Sequence, residues 1–178
     1  MTAQISDTFI FEAEEYSLIG IRGGDLASPE QFGMEPKMLS TACYRGFFAT
    51  YEVTREALYL RELTLREKNG NYLPIEGIQP ETGNHRATYH GLNVRVSFTG
   101  KIRIAKGFIH DLYIHMGYQK ASAYETVLDL TLNDGRIVKI LDRSKEMEQK
   151  RGAFKKHYES GNKFEKIEEA FSLDMDLE

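Results

Sequence analysis

Disulfide scaffolding is excluded from the outset, because the 178-residue chain has a single cysteine, Cys43. A lone thiol fits a reducing compartment. Tryptophan is absent and proline occurs four times, so neither a Pro-rich linker nor an extended proline helix is present. No apolar run approaches the roughly 20 residues that a membrane-spanning helix needs. Met1 to Tyr16 carries Asp7, Glu12, Glu14 and Glu15 without a basic start, unlike a secretory signal. The expectation is a cytoplasmic protein that does not engage a membrane. An excess of one charge is also missing. The net charge is −4, so the molecule as a whole is no electrostatic match for nucleic acid.

What is there is a β grammar. Leu58 to Leu65 alternates apolar and polar residues and runs toward Asn69-Gly70; Val127 to Leu132 does the same toward Asp134-Gly135. Such pairs accept positive φ at both central positions, which tight hairpins require. Phe9-Ile10-Phe11 and Tyr16 to Ile21 read as two strands joined near Glu14-Glu15, the second of them central and covered on both faces. Phe47, Ala49, Tyr51 and Val53 alternate cleanly. In the next strand the apolar phase switches between Leu60 and Leu63, which predicts a bulge near Arg61-Glu62. Tyr72 to Ile75 is a short partner across Asn69-Gly70, and at Pro74 the pairing ends or lies at an edge. Gln79 to Gly91 is polar and turn-rich, while Val94, Val96 and Phe98, then Ile102 and Ile104, form a further pair of strands.

Phe108 to Met116 fits one face of a helix or of a strand, and the bounding Gly107 and Gly117 favour a short helix. Gly23 to Thr41 is irregular apart from one helical turn at Ser28-Pro29-Glu30-Gln31; it reads as a functional lid or as a crossover closing a barrel. From Ser144 the composition becomes polar and helix-forming, with Phe164, Ile167 and Phe171 making an apolar stripe. A helix that short needs a surface, its own body or a partner. The fold expected is mainly β within the α+β class. It is an antiparallel β-barrel or two-sheet sandwich over residues 1–143, with a short internal helix, and a helical C-terminal tail over 144–178.

Chemistry-bearing residues are scattered. Cys43 precedes Tyr44-Arg45, and a neighbouring guanidinium favours thiolate. A cysteine nucleophile also needs a histidine base, and no motif supplies one; packing is the other reading. His110 and His115, like His85 and His90, are five apart, which suits neither a helical nor a strand chelate. Asp25, Glu30, Glu35 and Glu81 lie near loops with no sign of a facing pair. Gly23-Gly24 is not followed by a nucleotide-binding pattern, and no nucleophile elbow occurs. No cofactor and no metal are expected. Tyr44, Phe47, Phe48 and Tyr51 cluster beside Arg45, as in an aromatic-lined cavity or contact surface. Arg61, Arg66, Arg95 and Arg103 on strands could stack single-stranded bases, but the net charge and the missing RNA-binding motif oppose this. The candidate ligand or partner contacts are therefore Tyr44, Arg45, Phe48, Tyr51, His110 and His115, with Phe164, Ile167 and Phe171 in the tail.

The stretch from Ser40-Thr41-Ala42-Cys43-Tyr44-Arg45-Gly46-Phe47-Phe48 to Leu65 resembles small stand-alone bacterial proteins with no assigned function. The resemblance implies a bacterial cytoplasmic protein and carries no catalytic residue. The function expected is a non-enzymatic interaction protein, immunity-type or accessory, whose partner is another protein or a copy of itself. The alternatives are a β-barrel enclosing a small apolar ligand, and a hydrolase-like enzyme with a pocket near Cys43, Tyr44 and Arg45 served by His110 or His115.

Overall fold

The computed structural model describes residues 2–160 and 169–175, with backbone alone for 154–160. It is mainly β. Strand β1 (Thr8–Phe11) turns into β2 (Glu14–Gly23) through Glu12 and Ala13, both at positive φ (51° and 61°). The reversal falls before Glu14-Glu15, because Glu14 already pairs with Phe11. On its other side β1 pairs in parallel with β3 (Phe47–Val53), in the register Phe9 to Tyr51. β3 returns into β4 (Leu58–Leu65) with a register shift: Thr50 faces Glu62 and Tyr51 faces Leu60. Arg61 is thus the bulged residue that the phase switch predicts. The bulge leaves Leu58, Leu60, Leu63 and Leu65 all buried.

Beyond β4 come a hairpin of β5 (Glu81–Gly83) and β6 (Arg86–Tyr89), then β7 (Val94–Val96). β6 pairs with the end of β4 and β7 with its start. β8 (Gly100–Phe108) lies between β2 and β9 (Tyr124–Asn133), and β9 folds back into β10 (Arg136–Asp142) through Asp134-Gly135. The strand order is β10-β9-β8-β2-β1-β3-β4-β6-β5, with β7 beside β4.

That path does not close, so the expectation of a closed barrel or of two facing sheets gives way to one large mixed sheet. It nevertheless surrounds a single main core that includes Phe9, Tyr51, Leu60, Tyr89, Phe98 and Leu130. The β9–β10 turn docks across without a ladder: Gly135 N–H donates to the Phe98 carbonyl at 2.7 Å and Asp134 N–H to Thr99 Oγ1 at 2.9 Å. A Cβ on Gly135 (φ +78°) would stand 2.7 Å from the Val96 carbonyl oxygen, so only glycine fits this approach.

Three further expectations are corrected. Asn69-Gly70 is a turn, with Gly70 at φ 73°, but Tyr72 to Ile75 forms no strand with β4. β6 and β7 take that flank, and the turn is held by the Glu67 carboxylate, which accepts from Asn69 N–H and Asn71 N–H at 2.7 Å each. The polar stretch Gln79 to Gly91 hides the β5–β6 hairpin, turned by Asn84 and His85 at φ 50° and 61°. Phe108 to Met116 contains only a 3-10 turn at His110–Leu112, because pairing of Phe108 with Tyr124 extends the β8 ladder into it.

The outer face of the sheet carries a second cluster of Ile19, Ala105, Tyr124, Val127 and Met147. Met147 belongs to α1 (Ser144–Ser160), whose first turn is fastened by Ser144 Oγ accepting from Val127 N–H at 3.1 Å. β2 is therefore central and covered on both faces, as its sequence implies. Asp129, 2% exposed, lies between Arg103 (2.6 and 3.0 Å) and Arg143 (3.1 Å), and Arg143 continues to Glu146 on α1. The C-terminal residues 169–175 return to the body, where Ile21 N–H donates to the Leu173 carbonyl and Tyr118 N–H to that of Ala170, both at 2.7 Å. Phe164 and Ile167 lie outside the described residues. Among the described residues no helix is long and apolar enough to cross a membrane.

Burial alone would raise the Asp129 carboxyl; the hydrogen bonds and charges of Arg103 and Arg143 outweigh it and hold the group below its ordinary range. The stability this adds is fully present above about pH 4 and drains as pH falls through the folded value. Asp129→Ala should cost about 3–5 kcal/mol at neutral pH, since it removes the buried carboxylate that Arg103 and Arg143 share. Urea unfolding followed by circular dichroism should show that difference narrowing toward pH 3. A pH-independent difference would remove the charge from this account.

Candidate functional site

β1 is four residues long, whereas β2 runs for ten and β3 for seven. The ladder of β1 reaches only Ser17 on β2 and Thr50 on β3. Leu18 to Gly23 of β2 and Phe47 to Ala49 of β3 therefore flank a gap that β1 does not fill. Asp7, the residue before β1, sits at the gap's inner end with 2% exposure. Its carbonyl accepts from Leu18 N–H at 2.8 Å, and its carboxylate accepts from Ala49 N–H at 2.7 Å and pairs with the Arg45 guanidinium.

Arg45 Nε also donates to the Phe47 carbonyl at 2.8 Å, and the guanidinium carbon lies 4.4 Å above the Phe47 ring centre. Nη1 meets no acceptor among the described residues. Burial works against the Arg45 charge, but Asp7 outweighs it and keeps the guanidinium pKa above its usual value. The Gly23–Thr41 loop covers the gap, with its 3-10 turn at Pro29–Phe32. Tyr51 anchors this loop by donating from its hydroxyl to the Ala27 carbonyl at 3.2 Å. The Tyr51 phenol is raised well above its ordinary pKa by burial and then by the Asp7 charge, so it serves as a fixed donor.

Between loop, sheet and the returning C-terminal segment lies a cleft of about 500 Å³. Leu18, Ile21, Leu26, Phe47 and Leu173 give its apolar walls, which continue into the main core. Asp7 and Arg45 lie at its inner end, and the exposed Asp25 and Glu30 at its mouth. An adjoining recess of about 370 Å³ shares Ile21, Asp25 and Leu173 and adds Arg22 and Asp174.

Of the residues singled out from sequence, the structure brings Arg45, Tyr51 and the loop carboxylates Asp25 and Glu30 to this site. Tyr44 is exposed beside it and packs on Phe171, with ring centres 5.7 Å apart. Phe47, not Phe48, lines the cleft; Phe48 faces Thr64 in the β3–β4 ladder. His110 and His115 lie elsewhere, in an aromatic group with Phe108 (5.3 Å from His110) and Tyr113 (5.0 Å from His115). Asp7, Leu26 and Leu173 carry no sequence signal that marks them for this place.

Cys43 is 2% exposed, and its thiol donates to the Phe47 carbonyl at 3.4 Å. Burial pushes the thiol up, and the Arg45 charge opposes this only in part. Among the described residues no group of three or more His, Cys, Asp or Glu is placed to hold a metal ion. No protein family, characterised protein or solved structure matches the chain.

A buried thiol with a raised pKa reacts slowly. Labelling of Cys43 by a chromogenic disulfide near pH 8 should be roughly tenfold or more slower in the folded protein than in urea, and should speed up as pH rises. Rapid labelling of the folded chain at neutral pH would restore Cys43 as a candidate nucleophile.

Proposed function

We propose that this chain is a non-enzymatic binding protein of the cytoplasm, and that the cleft beside Arg45 is where it holds a compact ligand. The observation that carries this is the cleft itself, with apolar walls and a few convergent polar groups. Small-molecule sites have that composition, and their volumes run about 300–1,000 Å³. Arg45 is fixed by a carboxylate, a carbonyl and an aromatic face, so its remaining donors are oriented before any ligand arrives. The hydrolase-like alternative draws little support, because Cys43 is sealed and the two candidate histidines lie among other aromatics. A lone buried thiol favours a reducing compartment.

Hexanol serves as a neutral apolar probe. Added to isotopically labelled protein, it should shift the backbone amide signals of Ile21, Ala27, Phe47 and Leu173. No shifts, or shifts clustered elsewhere, would reject the cleft as a binding site.

A second surface favours a protein partner, in line with an accessory or immunity-type role. Among the described residues β10 pairs with β9 alone, and Val138, Ile140 and Leu141 are 59%, 49% and 39% exposed. An edge strand with an apolar row accepts another strand, although Lys139 and the shifted register near Val138 blunt it. If a second copy is that partner, wild-type protein sediments as a dimer and Ile140→Asp as a monomer. A wild-type monomer at high concentration would discard self-pairing.

A further inference from the structure

The charges lining the cleft are unevenly distributed along its depth. At the inner end Asp7 and Arg45 compensate each other through their ion pair. Asp7 is 2% exposed and the Arg45 side chain 30%, which places this pair below the exposed mouth residues. At the mouth Asp25 and Glu30 both line the cleft, and their carboxylates meet no cationic partner among the described residues. In the adjoining recess Arg22 and Asp174 offset each other in formal charge. Among the described residues, two carboxylates without a cationic partner therefore line the mouth of an apolar cavity. An anionic ligand has to pass them, and a neutral one gains nothing from them. A cation gains from both, in a setting less screened than open solvent.

Building on the cleft as the ligand site, we propose that its ligand is a small organic cation with an apolar body, bound with the cationic group outward. The apolar body lies against Leu18, Leu26 and Leu173, and the ammonium sits between Asp25 and Glu30. The reverse orientation would carry the ammonium to the inner end, where the Asp7 carboxylate is already taken by Arg45 and no charge is left to meet it. A cationic head at the mouth keeps part of its hydration, so the site avoids the full desolvation cost of a buried charge.

The test compares three probes of one length by amide-shift titration at low ionic strength: hexylammonium, hexanol and hexanoate. Hexylammonium should bind roughly tenfold tighter than hexanol and hexanoate more weakly than either, with the spread shrinking in high salt. In an Asp25→Asn, Glu30→Gln double variant the ratio of ammonium to alcohol affinity should fall to near one. Equal affinities in the wild type, or a ratio that survives the double substitution, would overturn the cationic assignment and leave the cleft standing as a site for neutral ligands. If neither hexanol nor hexylammonium shifts the cleft amides, the cleft itself is not a binding site and both readings fall together.

Discussion

Backbone groups buried away from water must find partners, and β1 is too short to supply them along the whole of β2 and β3. It satisfies Glu14 to Ser17 on β2 and Thr50 to Val53 on β3, then stops. Because β1 and β3 are parallel, the residues preceding them arrive at the same end of the sheet. Asp7 and Arg45 come from positions 38 residues apart and meet there. The carboxylate does what a further strand residue would do for β3, since it takes the Ala49 N–H, while the Asp7 carbonyl takes that of Leu18. The Ile21 N–H, three residues further along β2, is satisfied by Leu173 from near the C-terminal end of the described residues. The cleft is the space left when three separate segments complete what β1 leaves unfinished.

Two buried ionic groups mark the two faces of this sheet. Asp7 with Arg45 closes the inner side, and Arg103, Asp129 and Arg143 tie α1 to the outer side. Neither arrangement is strong evidence for net stability, because removing charges from water offsets most of what the pairing returns. Their contribution is direction. A planar guanidinium fixed at two or more points permits one arrangement of the segments it joins, whereas apolar contacts tolerate sliding. The first group sets where the loop and β3 stand around the cleft, and the second sets where α1 lies on β2, β8 and β9.

Local chemistry was readable in the sequence wherever a neighbour in the chain decided the outcome. Asp134-Gly135 turns β9 into β10, and the phase switch between Leu60 and Leu63 became the bulge at Arg61, because side-chain alternation and positive φ are properties of a few adjacent residues. Asn69-Gly70 shows the boundary of that rule. The turn forms as its residues require, yet the ladder expected beyond it does not, since β6 and β7 compete successfully for the same flank of β4. Phe108 satisfied two periodicities, and its pairing with Tyr124 chose between them. The site followed the same division. Arg45 and Tyr51 stood out as charge and aromatic beside each other, while Asp7 and Leu173 acquire their roles only from a parallel pairing and a C-terminal return that no local pattern announces.

The same geometry supports the proposal that the site binds a ligand rather than reacting with it. Catalysis by side chains needs a group that can change state where the substrate lies: a nucleophile beside a base, or an acid poised near the working pH. Here burial raises the Tyr51 phenol, and burial likewise raises the Cys43 thiol. The Arg45 guanidinium stays charged because Asp7 outweighs its desolvation. Each is held in one protonation state at neutral pH, so the inner end of the cleft presents a constant pattern of donors and charge. In the proposed role such a surface would discriminate among molecules by shape and sign, with direction given by Asp25 and Glu30 at its mouth, which meet no cation among the described residues.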